Sequence, residues 1–267
     1  MERLCVFGMP PVAFVGLAAD VGCSCVGIGL TGMRYYNPDG YPEWSLRDDP
    51  ALRRELLAAM RDVGVGISLL EGFGIAPDVD VREKAGDLDI LCELRGKRIN
   101  AASIDRDLSR TFDGFAMLAE MADERGMEVV IEIGPGPIRT LSAALAAVHH
   151  VGRPNFRLLI DTMHYFRFGG SIAELAMLDP ALIGYVQLCD APLVSTHASY
   201  MEEALHERQV PGTGELPLLD LLRLVPPDGV VSVEVPQRSL AEAGMGPTER
   251  VAACVAATRH LLEQAGR

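Results

Sequence analysis

The segment at positions 129–135 reads VVIEIGP, a short β-branched run that carries one acidic residue, Glu132. Three later segments repeat this pattern: LLIDTMH (158–164), YVQLCDAP (185–192) and VVSVEVP (230–236). Runs of this composition are typical of strands buried on both faces, as in parallel sheets. A carboxylate or amide at the end of such a strand is costly unless another group binds it. The acceptors in the four segments are therefore candidate ligands: Glu132, Asp161, Gln187 and Glu234.

The spacing of these segments is comparable to that of βαβ units, which take about 30 residues or more. Their polar residues then lie at the same end of parallel strands, and four strand ends converge on one point only if the sheet closes into a barrel. Strand and helix patterns alternate along the chain, which indicates a parallel sheet covered by helices. The sequence predicts an α/β fold, a single-domain (β/α)8 TIM barrel over residues 1–267, with an open doubly wound sheet as the alternative.

Eight strands and eight helices are predicted. The first four strands are placed at 4–8, 24–30, 65–70 and 98–104, and the other four carry the acceptors named above. The helices are placed at 12–21, 50–63, 81–95, 112–124, 138–149, 172–177, 217–224 and 248–263. The connection after the seventh strand is unusually long, so residues 191–216 are predicted to form a lid over the mouth of the barrel.

Length and charge favour some classes of fold and partner and argue against others. The chain has 267 residues, close to the length of about 250 that is typical of one TIM barrel. Its net charge of −13 repels phosphates and argues against a nucleic acid partner. No apolar run approaches the roughly 20 residues of a membrane span, and the N-terminus lacks a signal-peptide pattern. We therefore expect a cytoplasmic protein without a membrane partner.

The four candidate ligands offer only oxygen atoms, from three carboxylates and one amide. Ionised carboxylates that converge on one point repel each other, and a divalent cation removes this repulsion. Oxygen ligands favour hard ions, so Mn2+ or Mg2+ is predicted, with Co2+ or Zn2+ as alternatives. The ion would polarise a carbonyl group of a small-molecule substrate.

Three residues are candidates for proton transfer. Glu132 and Glu234 are carboxylates beside the predicted cation. His164 follows Asp161 by three residues and faces the same site if this segment begins a helix. The near-neutral pKa of histidine suits it to proton transfer or to hydrogen bonding with substrate. A histidine that caps local backbone is the alternative.

Two further residues join His164 as candidates for substrate binding. Arg208 lies inside the predicted lid, and a guanidinium group suits a carboxylate, a phosphate or a row of hydroxyls. A surface arginine paired with Glu203 or Glu207 is the alternative. Glu71, at the end of the third predicted strand, is either a substrate-binding or acid–base residue or a solvated carboxylate.

The chain from about residue 127 to 236 resembles the xylose-isomerase-like TIM-barrel superfamily, which includes sugar isomerases, ketose 3-epimerases and endonuclease-IV-type enzymes. Its usual metal ligands are Glu, Asp, His and Glu, which correspond here to Glu132, Asp161, Gln187 and Glu234. Glutamine in place of histidine, together with VQLCDAP (186–192) and LHERQVPGTGELPL (205–218), is similar to the bacterial-type 3-dehydroshikimate dehydratases of the same superfamily.

Other motifs of the superfamily also match. Its Asp-x-x-His motif corresponds to Asp161 and His164, and its arginine before a Pro-Gly-x-Gly turn corresponds to Arg208. One departure lies at the second predicted strand, where many relatives have a glutamate and this chain has Gly27. The first half of the chain, which supplies much of the substrate pocket, therefore differs from those relatives.

The resemblance implies a divalent-metal-dependent isomerase or epimerase of a small polyhydroxy keto compound, a sugar or a sugar-like molecule. A lyase similar to 3-dehydroshikimate dehydratase is the alternative, because it begins with the same proton abstraction and ends by expelling a hydroxyl. An abasic-site endonuclease fits less well, since those relatives use three zinc ions and additional histidines. A non-catalytic sugar-binding barrel is a further alternative. The resemblance also implies a homodimer or homotetramer.

Overall fold

The computed structural model describes residues 1–33 and 36–267. Within these residues, seven parallel strands form one sheet in chain order, with helices packed around it. The strands are β1 (Cys25–Ile28), β2 (Gly66–Ile75), β3 (Arg98–Ser103), β4 (Glu128–Glu132), β5 (Phe156–Asp161), β6 (Ile183–Leu188) and β7 (Val230–Val233). The TIM-barrel prediction is confirmed, with one correction at the first predicted strand.

The predicted strand over residues 4–8 is wrong, because Arg3–Val6 forms a 3-10 helix. The two residues before this helix close the barrel instead. The Glu2 amide donates to the Val233 carbonyl at 2.9 Å, and the Gly27 amide donates to the Met1 carbonyl at 2.8 Å. These bonds bridge β7 to β1. The apolar run at 4–7 is nevertheless buried, so its hydrophobicity indicated a core position and not a strand.

The α-helices that the structure describes are α1 (Pro11–Asp20), α2 (Pro50–Val63), α3 (Ala85–Glu93), α4 (Leu108–Asp123), α5 (Leu141–Val151), α6 (Thr162–Arg167), α7 (Ile172–Leu175), α8 (Tyr200–His206), α9 (Leu218–Leu224), α10 (Arg238–Glu242) and α11 (Pro247–Gln264). Helix α2 begins and ends where predicted. Helix α4 begins four residues early, because the Asp107 side chain accepts the amides of Ser109 and Arg110 and caps it there. Helices α8 and α10 lie in segments where no helix was predicted.

Two apolar clusters lie on the two faces of the sheet. The smaller one fills the barrel interior and consists of Leu69, Val130, Leu159 and Tyr185. The larger one packs between the strands and the helices. Because side chains alternate along a strand, the residue two positions after each interior residue also points into the barrel. This alternation places four predicted site residues inside the barrel: Glu71, Glu132, Asp161 and Gln187.

Within residues 1–33 and 36–267, no helix combines the length and apolar character that crossing a membrane requires.

The close approach of Glu2 to Gly27 gives a test of barrel closure. A Cβ atom added at Gly27 would overlap the Glu2 carboxylate, whereas one added at Gly66, the β2 residue paired with Cys25, has no neighbour within 4 Å. We expect Gly27→Ala to lower the free energy of unfolding by about 1–3 kcal/mol, as overpacking does. Gly66→Ala, the control, should be neutral or stabilising.

Combining Gly27→Ala with Glu2→Ala should recover part of the loss, because the second substitution removes the overlapping carboxylate. Chemical denaturation of the single and double variants measures this coupling. Strictly additive losses would show that the two residues do not compete for the same space.

Candidate metal and catalytic site

A cavity of about 450 Å³ opens at the C-terminal end of the barrel strands. Six of the seven predicted site residues line it: Glu71, Glu132, His164, Gln187, Arg208 and Glu234. The seventh, Asp161, is fully buried and contacts two of the others. The structure thus brings together residues that are separated by up to 163 positions in the chain, from Glu71 to Glu234. Their catalytic and metal-binding roles stay predictions.

Asp161 and His164 are held by the first turn of α6. The Asp161 Oδ1 atom accepts the His164 backbone amide at 2.9 Å and caps this helix. The turn directs the imidazole to Glu132, whose Oε1 atom lies 3.2 Å from His164 Nε2. Potential ligand atoms of the three residues lie within 4.8 Å of one another, which is compact enough for one cation.

Arg208 places a positive charge between two of the predicted ligands. Its Nη1 atom lies 2.5 Å from Asp161 Oδ2 and 3.0 Å from Glu234 Oε2. The Nε atom donates to the Ala204 carbonyl at 2.8 Å, which fixes the plane of the guanidinium. The side chain is only 2% exposed, so the alternative of a surface arginine is wrong.

A second acidic group, on the other side of Glu234, includes a residue that the sequence analysis missed. Oxygen atoms of Glu2, Glu71 and Glu234 lie within 4.8 Å of one another. Glu2 is fully buried, and its Oε1 atom accepts the Tyr185 hydroxyl at 2.7 Å. It fills the space beside Gly27. Because Glu2 precedes every predicted strand, no pattern in the sequence pointed to it.

Glu71 is not at the end of its strand, as predicted, but within β2, at a bulge that Gly72 allows with a φ of 108°. It is half-buried and lines the cavity, which excludes the solvated strand-end interpretation. Gln187 Nε2 donates to its Oε1 atom at 3.5 Å. Glu71 therefore belongs to the same polar network as the predicted ligands.

The site holds more carboxylates than its two arginines, Arg3 and Arg208, neutralise. Burial raises the pKa of Glu132 to about 8, and the neighbouring Asp161 and Glu71 add to this effect. Burial and the adjacent Glu2 raise the pKa of Glu71 to about 7. Burial also raises the pKa of Glu234 well above its usual range, although Arg208 opposes the shift.

Asp161 is the exception among the carboxyl groups. Burial acts to raise its pKa, but Arg208 and His164 hold that pKa below its ordinary value. Asp161 is therefore the carboxylate that stays ionised most readily, and Arg208 is its counter-ion. Added positive charge, such as a divalent cation, would favour ionisation of the others.

His164 is neutral at neutral pH, because burial lowers its pKa to about 4 and Arg208 contributes to that shift. Its Nδ1 atom bonds to the Tyr200 hydroxyl, so both ring nitrogens contact side chains in the site. The alternative of a histidine that only caps backbone is therefore wrong. Tyr200 is a second residue that the sequence analysis missed, since its partner is distant in the chain.

Residues 191–216, the predicted lid, cover one side of the cavity with α8. Arg167 donates to Glu203 of this helix at 2.8 Å, and both side chains are buried. The Asp190 carboxylate accepts the amides of Gly212 (2.9 Å) and Leu216 (3.1 Å), which anchors the end of the segment. Opening of this segment as a lid stays a prediction.

The donor set fits a divalent cation in its chemistry. Three carboxylates and one amide meet at one end of the barrel, and Arg208 offsets only part of their charge. One condition applies to the fit. Because Arg208 Nη1 lies between Asp161 and Glu234, a cation that binds both carboxylates requires the guanidinium to move away from that position.

Residues 15–258 match the family model described as xylose isomerase-like TIM barrel. A comparison with curated protein sequences found no match. Among solved structures, an IolI protein with a bound zinc atom is similar, with a TM-score of 0.79, 18% identity, and coverage of 98% of this chain and 97% of that protein.

Two other similar structures have established or probable enzyme names. D-psicose 3-epimerase from Clostridium cellulolyticum H10, solved with D-tagatose, has a TM-score of 0.72 and 17% identity over 98% of this chain and 95% of its own. The probable 3-DHS dehydratase AsbF of petrobactin synthesis from Bacillus anthracis has a TM-score of 0.69 and 15% identity over 92% and 96%. At these identities the likeness establishes the fold and not the activity.

The contacts of Arg208 predict that the stability of the metal-free protein depends strongly on this residue. We expect Arg208→Met to lower the free energy of unfolding by about 3–5 kcal/mol, because it leaves two buried carboxylates unpaired. Saturating Mn2+ should restore more stability to this variant than it adds to the original protein. Chemical denaturation with chelator and with Mn2+ measures both effects.

Arg223→Met is the matched control, because this exposed arginine pairs only with Asp220 on α9 among the described contacts. Its effect should stay within about 0.5 kcal/mol. An Arg208→Met protein as stable as the control would contradict the structural role that the ion pairs imply.

The raised pKa values predict how stability depends on pH. Folding raises the pKa of Glu132 to about 8 and that of Glu71 to about 7, from an ordinary value of 4.5, so the folded protein holds protons that the unfolded chain releases. The thermal stability of the chelated protein should therefore fall as pH rises from about 6.5 to 8. This window lies above the ordinary pKa of 6.5 for His164, whose contribution has the opposite sign at lower pH.

Glu132→Gln should flatten this pH dependence, because it removes one of the carboxyl groups whose pKa folding raises into this window. Saturating Mn2+ should also flatten it, since a cation favours the ionised carboxylates. Stability that rises from pH 6.5 to 8 in the chelated protein would contradict the assignment.

Proposed function

This chain belongs to the xylose isomerase-like TIM-barrel family, and on that premise we propose that it is a divalent-metal-dependent isomerase or epimerase of a small polyhydroxy keto compound. The main support is the convergence of three carboxylates, an amide and a histidine at the C-terminal end of the barrel. TIM-barrel enzymes hold their active sites at this end. A sugar or sugar-like substrate is in keeping with the similarity to an epimerase structure.

The proposed ligands are the carboxylates of Glu132, Asp161 and Glu234 and the carbonyl oxygen of Gln187. Since the Gln187 amide nitrogen donates to Glu71, its Oε1 atom is the one left to coordinate. An all-oxygen set favours Mn2+ or Mg2+ over Co2+ or Zn2+. The His164 nitrogen beside Glu132 makes Zn2+ the main competitor, as does the zinc in the similar IolI structure.

When bound, the cation would polarise the substrate carbonyl and stabilise the charge that develops on its oxygen. Side chains of the protein would carry out the proton transfer. Glu132, which a bound cation would keep ionised, is suited to remove a proton from the carbon beside the carbonyl. Neutral His164, 3.2 Å from Glu132, orients this carboxylate and is the second candidate acid or base. Glu234 is the candidate for returning the proton.

Substrate binding is proposed for Arg208 and Glu71, whose side chains line the cavity. A guanidinium group and a carboxyl group together recognise a row of hydroxyls by donating and accepting hydrogen bonds. The α8 helix limits access of water through Leu205, which lines the same cavity.

A dehydratase is the second candidate function, and Gln187 favours it. Glutamine at this position resembles the 3-dehydroshikimate dehydratases, and one similar structure is a probable enzyme of that type. The reaction would begin with the same proton abstraction by Glu132. It would end with loss of a hydroxyl from the next carbon, for which His164 is the candidate proton donor.

Chelation and metal add-back test the proposal. After treatment with chelator, Mn2+ or Mg2+ should restore turnover at least as well as Zn2+, because the proposed ligands are oxygen atoms. Ketohexoses and 3-dehydroshikimate are assayed in parallel, with sugar interconversion and aromatic absorbance as the readouts. Turnover of the first class alone supports the epimerase proposal, and aromatic product from the second supports the dehydratase.

Glu234→Gln should weaken Mn2+ binding by about 100-fold or more, since even residues beyond the direct ligands contribute 10–100-fold. Glu55→Gln, at an exposed position of α2, is the control and should bind Mn2+ normally. Full turnover in chelated protein, or unchanged Mn2+ affinity in Glu234→Gln, would rule out the proposed metal role.

A further inference from the structure

A second cavity, of about 290 Å³, adjoins the candidate site. It extends from the ends of β3 and β4 to α8, and we call it the annex. Four residues line both the main cavity and the annex: Ala102, Glu132, His164 and Leu205. The two spaces therefore meet at the carboxylate and the imidazole that are the candidates for proton transfer.

The annex differs from the main cavity in its chemistry. Its walls are formed largely by Phe115, Pro135, Ile138 and Leu205, and the first and third of these side chains are buried. Apart from the four shared residues, the main cavity has three apolar lining residues, Leu4, Met33 and Phe73, but it also has six charged or amide side chains: Arg3, Glu71, Asn100, Gln187, Arg208 and Glu234. A ligand that spans both spaces needs a polar end and an apolar end.

Apart from Glu132 and His164, which the two cavities share, the annex has one polar side chain among its described lining residues, Ser103, and its hydroxyl already makes hydrogen bonds within the protein. The Ser103 hydroxyl lies 2.7 Å from the Thr111 hydroxyl and accepts the Asp105 amide at 3.1 Å. It has little capacity left to recognise a hydroxyl of a ligand. The annex thus offers contact area for apolar atoms but few hydrogen bonds.

Two large apolar residues at the annex are exposed to solvent. Ile104 is 77% exposed and Met201 on α8 is 42% exposed. Both line the annex: Ile104 directly follows β3, and Met201 lies on α8. An apolar group that entered from this direction would cover them and gain their contact area.

We propose that the annex binds an apolar substituent of the substrate. The substrate class is then a hydroxy-carbonyl compound that carries an aromatic or branched aliphatic group near its carbonyl, and not a bare sugar. The inference rests on the proposed function for the position of the carbonyl beside Glu132 and His164. The main cavity alone, at about 450 Å³, is within the range of roughly 300–1,000 Å³ for small-molecule sites, so the annex is additional space.

Two small ketones provide a matched test. Hydroxyacetone and 2-hydroxyacetophenone share the same hydroxymethyl ketone group and differ in a methyl or a phenyl substituent. With Mg2+ present, the phenyl compound should bind at least about 10-fold more tightly, because its ring buries apolar area in the annex. Ligand-detected NMR titration measures both affinities. Equal affinities would overturn the proposal.

Two variants test whether the difference in affinity between the two ketones arises in the annex. Met201→Gln and Ile104→Gln should each reduce the affinity ratio several-fold, and both change exposed residues, so folding should be retained. Met177→Gln is the control, because Met177 is 85% exposed and lies outside both cavities. A ratio that is unchanged by both annex variants, or equally changed by the control, would overturn the proposal.

The experiment distinguishes an error in the proposed function from an error in the annex proposal. If Mg2+ and Mn2+ do not bind at all, the metal role is wrong, and the two ketones are compared in the metal-free protein. The phenyl compound should still bind more tightly there, because the apolar contact does not involve a cation. A change in oligomeric state on Ile104→Gln, measured by light scattering, would instead assign the exposed rim to a second copy of the chain and overturn the proposal.

Discussion

An imbalance of buried charge governs the functional end of this barrel. Asp161 and Glu234 are buried, Glu132 is half-buried beside them, and Arg208 directly neutralises only Asp161 and Glu234. Each buried carboxylate must therefore hold a proton, pair with the guanidinium or bind a cation. Binding of a cation competes with the ion pairs of Arg208, since its Nη1 atom lies between two of the proposed ligands. Whether a carboxylate binds a proton, the guanidinium or a cation determines the chemistry of the site.

This competition connects the site to the segment after β6. Arg208 follows α8, the helix that also carries Tyr200, and the Tyr200 hydroxyl bonds to His164. A buried ion pair between Arg167 and Glu203 holds the same helix against the barrel. A shift of the guanidinium away from Asp161 thus acts on a segment that covers the cavity and positions the imidazole. The polar main cavity and the apolar annex meet beneath it.

Much of the barrel was predictable because strand and helix patterns alternate along the chain and the apolar runs recur at the spacing of βαβ units. That spacing predicted Glu132, Asp161 and Gln187 at the same strand ends, and the structure shows that each follows an interior residue by two positions and so lies on the same face. The run at 4–8 misled the prediction, because burial alone does not distinguish a strand from a 3-10 turn. Tyr200 was missed for a different reason: its role depends on a partner 36 positions away.

The sequence by itself determined the class of fold and the recurrence of acceptors at strand ends, since hydrophobic period and strand–helix alternation are local properties. It also determined the excess of acidic charge. Only the tertiary structure decided that Glu2 fills the space beside Gly27, that Glu71 lies within β2 and that Arg208 is buried between Asp161 and Glu234. These arrangements depend on contacts between separate segments of the chain, and they form only when closure of the barrel brings those segments together.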